Sequence, residues 1–272
     1  MVPPALATVN VNGVRAACTK GLLGWLAATD ARAVCLQEVR ARPEELPAAF
    51  TDALRAGGWH LRLAPSETAK GRNGVAVLSR DEPEAVRVGF GHVETDLDGR
   101  WIEVDLPGGL TLASLYLPKG QAGTDRQDAK DAFCAALGDH LRTAFDRAAA
   151  SGREMVVGGD WNIAPTEADL RNWRGNRRNS GFLPHEREWF AKLLEHGWRD
   201  LVRERHPGVD GPYSWWSYRG RAFDNDTGWR IDHLLATPGV ADAAREAVVD
   251  RAPAHDRRFS DHAPVIVRLA AA

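Results

Sequence analysis

Several places in this 272-residue chain set a carboxylate, an amide or an imidazole where an apolar, strand-like run begins or stops. The run from Met155 leads into Gly158-Gly159-Asp160-Trp161-Asn162, and Ala33 to Gln37 delivers Glu38 at its end. Near the start, Thr8-Val9-Asn10-Val11-Asn12-Gly13 sets two amides at i and i+2, on one side of an extended strand. Arg230-Ile231-Asp232 opens one late strand, and Ser260-Asp261-His262 precedes another. An acid such as Asp160 accepts a proton from water, and a neighbouring amide holds that water or a phosphate oxygen. An ionised Glu38 is a hard oxygen ligand suited to Mg²⁺, and Asp261 offers a second carboxylate to it. Asp232 beside His262 fixes one tautomer and favours the protonated ring, which then donates to a phosphoryl oxygen as negative charge accumulates.

Each piece alone has a plainer reading. Asp160 and Asn162 resemble an Asx-turn after a strand, Asn12-Gly13 a turn signal, Glu38 half of a surface ion pair and His262 a satisfied structural histidine. Their combination is what points to phosphoryl chemistry. Other chemistries lose their usual supports: the chain has no Gly-x-x-x-x-Gly-Lys-Ser/Thr loop and no Gly-x-Ser-x-Gly elbow. The remaining histidines show no metal-ligand spacing and no cysteine joins them, which argues against zinc.

The elements that must position these groups are short. Val-, Leu- and Ile-rich runs predict strands over Leu6–Val11, Ala33–Gln37, Gly74–Ser79, Trp101–Leu106, Leu110–Leu117, Met155–Gly159, Ile231–Thr237 and Ala263–Leu269. Phe133, Leu137, Leu141 and Phe145 recur at i+4 in a helix that Thr124 caps and Gly152 ends, and further helices are expected over Glu186–His196, Leu22–Ala28 and Glu44–Ala56. Gly74 to Leu117 reads as three successive strands with no helix between them, which favours mixed sheets packed together with helices outside over a doubly wound parallel sheet. Candidate site residues run from Asn10 to His262 with no repeat or low-complexity linker, so residues 1–272 are expected to form one catalytic domain.

With 35 Lys+Arg against 37 Asp+Glu, the formal charge of −2 argues against a uniformly basic nucleic-acid coat but leaves room for a locally positive face. Cys18, Cys35 and Cys134 lack paired spacing and read as buried free thiols in a reducing compartment. The first residues lack a basic n-region before an apolar core, and no apolar run approaches membrane-spanning length, so a cytoplasmic protein without a membrane partner is expected.

In chain order, Asn10-Val11-Asn12-Gly13-Val14-Arg15-Ala16, Cys35-Leu36-Gln37-Glu38, Gly159-Asp160-Trp161-Asn162-Ile163-Ala164-Pro165-Thr166, Trp229-Arg230-Ile231-Asp232 and Ser260-Asp261-His262-Ala263-Pro264-Val265 resemble the exonuclease III family. The resemblance extends through Asn73–Ser79, Leu115–Pro118 and Ser180–Pro184. It implies an α/β fold, a four-layer αββα sandwich of two mixed sheets flanked by helices, of the DNase I-like kind. It also implies Glu38 as the principal Mg²⁺ ligand, with Asn10, Asn12 and Asp261 around it and Mn²⁺ as a substitute. By the same likeness Asp160, assisted by Asn162, activates water; Tyr116 donates to the phosphate or leaving oxygen; and His262 with Asp232 binds the phosphoryl oxygen.

The Trp-rich stretch from Tyr213 to Ile231 supplies loop aromatics able to line a pocket or stack on unpaired bases. The resemblance makes Trp215, Trp229 and Ile231 the walls of a pocket for a flipped abasic deoxyribose, whereas Trp216 reads equally as part of a local hydrophobic cluster. Arg174 and Arg177, within the run Arg171 to Arg178, are candidates for gripping the phosphate backbone, as are Lys70 and Arg72. Lys119 departs from the amide that related enzymes often carry after Tyr-x-Pro, here Tyr116-Leu117-Pro118, and as a substrate-contacting cation either strengthens the grip on phosphate or alters how the DNA is wedged open. The implied function is a monomeric, Mg²⁺-dependent repair nuclease. It cuts duplex DNA 5′ to abasic sites and also acts on 3′ ends as exonuclease and 3′-phosphatase. The competing readings are a same-superfamily phosphatase acting on a small molecule or RNA end, and a catalytically silent nucleic-acid-binding relative.

Overall fold

Alternation along the first strand sets the plan of the molecule. In β1 (Ala5–Asn10), Ala5, Ala7 and Val9 face a layer of helices. Leu6 joins a core between two sheets, and Thr8 and Asn10 continue the row that Leu6 begins. A computed structural model describes residues 5–270. Numbered in chain order, one six-stranded sheet runs β11 (Ala244–Val249), β12 (Val265–Leu269), β1, β2 (Ala33–Gln37), β4 (Val75–Ser79), β3 (His60–Ala64). The other runs β5 (Ala85–Val88), β6 (Trp101–Leu106), β7 (Leu110–Tyr116), β8 (Glu154–Asp160), β10 (Asp232–Ala236), β9 (Arg199–Asp200). Among the described residues only the central pairs β1–β2 and β7–β8 are parallel; the other neighbours are antiparallel.

Between the sheets lie Leu6, Cys35, Val77, Val104, Leu112, Val156 and Leu234, all fully buried. Helices α1 (Val14–Lys20), α2 (Leu22–Ala28) and α3 (Ala48–Ala56) cover the first sheet through Val14, Leu22, Leu26, Phe50 and Leu54. On the far side, α5 (Asp125–Ser151) and α7 (Pro184–His196) cover the second through Phe133, Leu137, Leu141 and Phe190. This is the expected αββα sandwich, and its two sheets exclude the doubly wound alternative. Short helices α4 (Val93–Asp96), α6 (Trp173–Asn176), α8 (Leu201–Arg205) and α9 (Pro238–Ala243) lie in connections. Among the described residues no helix is long and apolar enough to cross a membrane.

Helix α5 begins after Thr124 with Asp125 and Asp128 in its first turn, where the helix end is partially positive. It stops at Gly152 in the left-handed conformation. Its buried stripe passes from Leu141 to Ala144 and Ala148 rather than to Phe145, as a 3.6-residue repeat requires over this length. The helix expected from Glu44 is broken by Pro47 into a 3₁₀ turn, Pro43–Glu45, and α3. The segment Gly74 to Leu117 departs from expectation: it holds β4 of one sheet and β5, β6 and β7 of the other, with α4 among them. Edge strands β3, β5 and β11 lie outside the expected runs, because a strand paired on one side and incompletely buried needs no continuous apolar run. Cys35 and Cys134 are buried free thiols as expected, whereas Cys18 is only half-buried.

Helix α5 is pinned to its sheet by Glu103 on β6, which is 1% exposed. Glu103 accepts from Arg87 Nε (2.9 Å), Arg147 Nη2 (2.8 Å), His140 Nε2 (2.9 Å) and Trp101 Nε1 (3.2 Å). Burial alone raises the Glu103 pKa; the bonds from His140 and Arg87 and the charge of Arg147 outweigh it and bring it down to about 2. A carboxylate with a depressed pKa contributes stability above its unfolded-state value and loses it as pH falls through the folded value. Urea denaturation should show Glu103→Gln less stable by roughly 3 kcal/mol at pH 7, with the difference shrinking between about pH 4.5 and pH 2.

Candidate active site

The rows that form the inter-sheet core change chemistry toward one end of the sandwich. On β1 the row runs Leu6, Thr8, Asn10; on β7, Leu112, Ser114, Tyr116; on β8, Val156, Gly158, Asp160; on β2, Cys35 leads to Gln37. The first polar layer is sealed. Gln37 Nε2 donates to Thr8 Oγ1 (3.1 Å) and Ser114 Oγ (3.0 Å), and Ser114 Oγ donates to Leu36 O (3.0 Å). Gly158 leaves the space this layer occupies, since a Cβ there would lie 3.1 Å from Cys35 Sγ and 3.3 Å from Thr8 Cβ. At Gly159 a Cβ would meet Leu115 O at 2.2 Å, so β8 can approach β7 only with glycine there.

One layer further out, strand register lines up the acids. Asp160 pairs with Tyr116 across β7–β8 and with Asp232 across β8–β10. Asn10, fully buried at the end of β1, donates through Nδ2 to Glu38 Oε1 (2.9 Å) and to Asp160 Oδ2 (2.9 Å), joining the two sheets. Its Oδ1 accepts from Asn12 N (2.9 Å). Asn10 therefore orients both carboxylates from beneath the site. Asn12 is not on an extended strand as expected: β1 stops at Asn10, and Asn12 has φ +49°. Its Nδ2 donates to Asp261 Oδ1 (2.7 Å).

Glu38 and Asn162 also adopt left-handed backbone just past a strand end, with φ +49° and +48°. Such conformations strain non-glycine residues and persist where surroundings over-determine them. Around Glu38, Gly13 N donates to Glu38 O (2.8 Å) and Val39 N to Gly74 O (3.0 Å). Asn162 N donates to Asp160 Oδ1 (3.0 Å), and its Nδ2 to Leu117 O (2.9 Å).

His262 sits between two acids. Its Nδ1 donates to Asp232 Oδ2 (2.9 Å), and its Nε2 lies 3.7 Å from Asp160 Oδ2. Ser214 Oγ donates to Asp232 Oδ2 (2.6 Å). Burial by itself lowers the His262 pKa, but the charges of Asp232 and Asp160 prevail and raise it to about 10, so the ring is an imidazolium at neutral pH. For Asp160, burial raises the pKa, His262 opposes it and Asp232 adds to it, with a result of about 7. Burial also raises Asp261, but His262 and the Trp215 indole, which donates at 3.0 Å, hold it below the ordinary value. Burial, then Glu38 and Asp160, push the Tyr116 phenol well above its usual value, so it is a neutral hydrogen-bond donor.

These groups open on a cavity of about 440 Å³. Its floor includes Glu38, Asp160, Asp261 and His262, with Tyr116, Asn12 and Asn162 beside them, and its walls are Trp215, Trp229 and Ile231. The two indoles meet edge to face, 6.3 Å apart and inclined by 80°. Lys119 stands over Trp215, its Nζ 5.7 Å from the ring centre. Arg174 and Arg177 lie outside the cavity lining, clasping Trp173 at 4.3 and 4.4 Å. Lys70 is paired with Glu45 (2.9 Å), and Trp216 packs with Tyr213 and Phe223 in a separate cluster.

Oxygen donors from Glu38, Asp261 and Asn12 suit a hard cation. Asp160, Asp232 and His262 also come within metal-ligating distance of one another, but the imidazolium has no free nitrogen lone pair to offer. Glu38 Oε2 accepts from Arg40 Nε (2.9 Å), so a guanidinium balances part of the acid cluster.

Sequence reasoning missed Arg40, Ser214 and Lys130. The signal for Lys130 was a lysine three residues before Phe133, on the apolar face of α5. It is fully buried against Glu186 (2.7 Å) and donates to Asn162 O (2.9 Å), while Glu186 Oε2 accepts from Gly181 N (2.6 Å) and Leu183 N (3.0 Å). The pair ties the Asn162 turn to the Ser180–Gly181 wall of the cavity. Chemical denaturation should show Lys130→Met less stable by about 3 kcal/mol, because Glu186 is left buried without its cation. Lys130→Met with Glu186→Gln should recover part of that loss.

The family model described as the endonuclease/exonuclease/phosphatase family matches residues 7–262. The exodeoxyribonuclease of Bacillus subtilis (strain 168) is 34% identical over 257 residues, 94% of this chain and 95% of that protein. The DNA repair nuclease APEX1 of Danio rerio is 34% identical over 261 residues, 96% of this chain and 80% of that protein. Among solved structures, the 3′ phosphatase NExo from Neisseria bound to product DNA hairpin superposes with a TM-score of 0.87 at 31% identity, over 98% of this chain and 99% of that one.

Proposed function

The chain belongs to the endonuclease/exonuclease/phosphatase family, in its exonuclease III branch, and we propose that it is a Mg²⁺-dependent DNA-repair nuclease acting as a single catalytic domain. In this reading it cuts the backbone 5′ to abasic sites in duplex DNA and also removes nucleotides and phosphate from 3′ ends. One observation carries the reading. A buried row of Asp160, imidazolium His262 and Asp232 opens beside Glu38 and Asp261 into a cavity walled by Trp215 and Trp229.

Each residue has a step in that reaction. Asp160, when ionised, takes a proton from the attacking water, and Asn162 orients that water. The His262 imidazolium, kept charged by Asp232, donates to a phosphoryl oxygen that gains negative charge as the water attacks. The Tyr116 phenol donates to the phosphate or the leaving 3′ oxygen. Glu38, Asp261 and Asn12 would hold Mg²⁺, with Mn²⁺ able to replace it, and Asn10 keeps Glu38 and Asp160 aimed. Bound there, the metal supplies Lewis-acid stabilisation of the charge that accumulates on the phosphoryl oxygens. Trp215, Trp229 and Ile231 receive the extruded abasic sugar. Arg174 and Arg177 would grip the phosphate backbone outside the cavity.

A labelled duplex carrying one stable abasic analogue should be incised by the wild type in Mg²⁺ and not in chelator. Glu38→Gln should lose at least about 10²-fold in kcat/KM, with part of the loss recovered at high Mg²⁺ or Mn²⁺. Failure of the wild type to cut in Mg²⁺ overturns the reading.

The titrations set the pH dependence. Activity should rise as Asp160 ionises, with an acid limb at or below about 7, because a cation beside Glu38 and Asp261 lowers the pKa of a neighbouring carboxylate. It should fall near about 10 as His262 deprotonates. The two limbs belong to the coupled pair. A kcat/KM profile of Asp232→Asn should bring the alkaline limb down, since Asp232 is the largest influence raising His262.

A further inference from the structure

We propose that Lys119 makes this site favour terminal phosphate monoesters at DNA 3′ ends over internal phosphodiesters. The inference rests on the nuclease reading above and concerns which of its substrates the cavity is charged to receive.

Four cationic side chains line the cavity: Arg40, Lys119, Lys130 and His262. Three are already balanced by acids, Arg40 by Glu38, Lys130 by Glu186 and His262 by Asp232. Among the described residues Lys119 forms no ion pair, so its charge is the one left for a ligand. Its backbone is held in place from both sides. Pro118 precedes it, and at Gly120 a Cβ would lie 2.4 Å from both Gln127 Oε1 and Ser180 Oγ, so the turn is pressed against α5 and the Ser180 wall. The ammonium stands over the Trp215 ring, and the same indole donates to Asp261. One tryptophan thus ties the free cation to the acidic floor.

In both reactions water forms a bond to phosphorus, the bond from phosphorus to the 3′ oxygen breaks, and that oxygen takes a proton. The substrates differ in what else the phosphorus carries. In an internal diester one further oxygen is esterified and the group bears a single charge. In a terminal monoester that oxygen is free, and the group carries close to two charges at neutral pH. An unbalanced ammonium at the cavity rim interacts with the additional charge, and the three acids of the floor, Glu38, Asp160 and Asp261, make that compensation matter more for the dianion.

The test compares wild type, Lys119→Gln and Lys119→Arg in Mg²⁺ on two duplexes, one with a recessed 3′-phosphate and one with an internal abasic analogue. Lys119 is exposed, and circular dichroism should show the variants folded. Lys119→Gln should lower kcat/KM for phosphate release by about tenfold and for abasic-site incision by no more than about twofold, and Lys119→Arg should restore most of the difference. Equal losses on the two duplexes, or no loss on the 3′-phosphate, overturn the role of Lys119 while leaving the nuclease reading intact. A wild type inactive on both duplexes overturns the nuclease reading itself.

Discussion

The imidazolium of His262 held between Asp232 and Asp160 is the interaction around which the rest of this molecule is arranged. Two carboxylates on adjacent strands, buried at 2% exposure or less, would repel each other and forfeit hydration if nothing stood between them. A protonated ring from the C-terminal strand's approach resolves that conflict, at the cost of requiring both sheets to close around it. Ser260 helps set this closure: its hydroxyl donates to Asn10 O and accepts from His262 N, linking β1 of one sheet to the imidazole that faces the other.

The sandwich tolerates this charged row because of how its core ends. Apolar contacts give way first to the neutral Thr8–Gln37–Ser114 layer and only then to ionised groups. The intermediate layer satisfies its own hydrogen bonds, so no unpaired polar atom of that layer faces the hydrocarbon core. The left-handed turns at Asn12, Glu38 and Asn162 follow from the same need. Continuing as strands, these residues would carry their side chains along the sheet; reversing there, they gather at the mouth of the inter-sheet layer.

Much of this was legible in the chain. Central strands β2 and β8, buried on both faces, carry continuous apolar runs, β6 alternates apolar residues with Glu103 and Asp105, and helices α2, α5 and α7 show helical periodicity. Their order, with helices between groups of strands, led to two mixed sheets. Edge strands β3, β5 and β11 were not legible, because they are incompletely buried and their composition resembles loop or helix. Within the site, Glu38, Asp160, Asp232, Asp261 and His262 stood out as acids and an imidazole beside apolar runs. Arg40 and Lys130 did not, since a basic residue after a strand or within a helix is ordinary until its burial or its partner is known.

By itself the sequence determined which side chains were available for phosphoryl chemistry, the strands that carry them and the family they resemble, because residue type and period are local properties. Only the tertiary structure decided how they divide the work. Register across β7, β8 and β10 set Tyr116, Asp160 and Asp232 side by side, and closure of the two sheets put Asn10 where it bonds both Glu38 and Asp160. The same closure left Arg174 and Arg177 outside the cavity and Lys119 without a counter-charge. The charge state of a buried group depends on neighbours tens or hundreds of residues away, and that proximity exists only once the chain has folded.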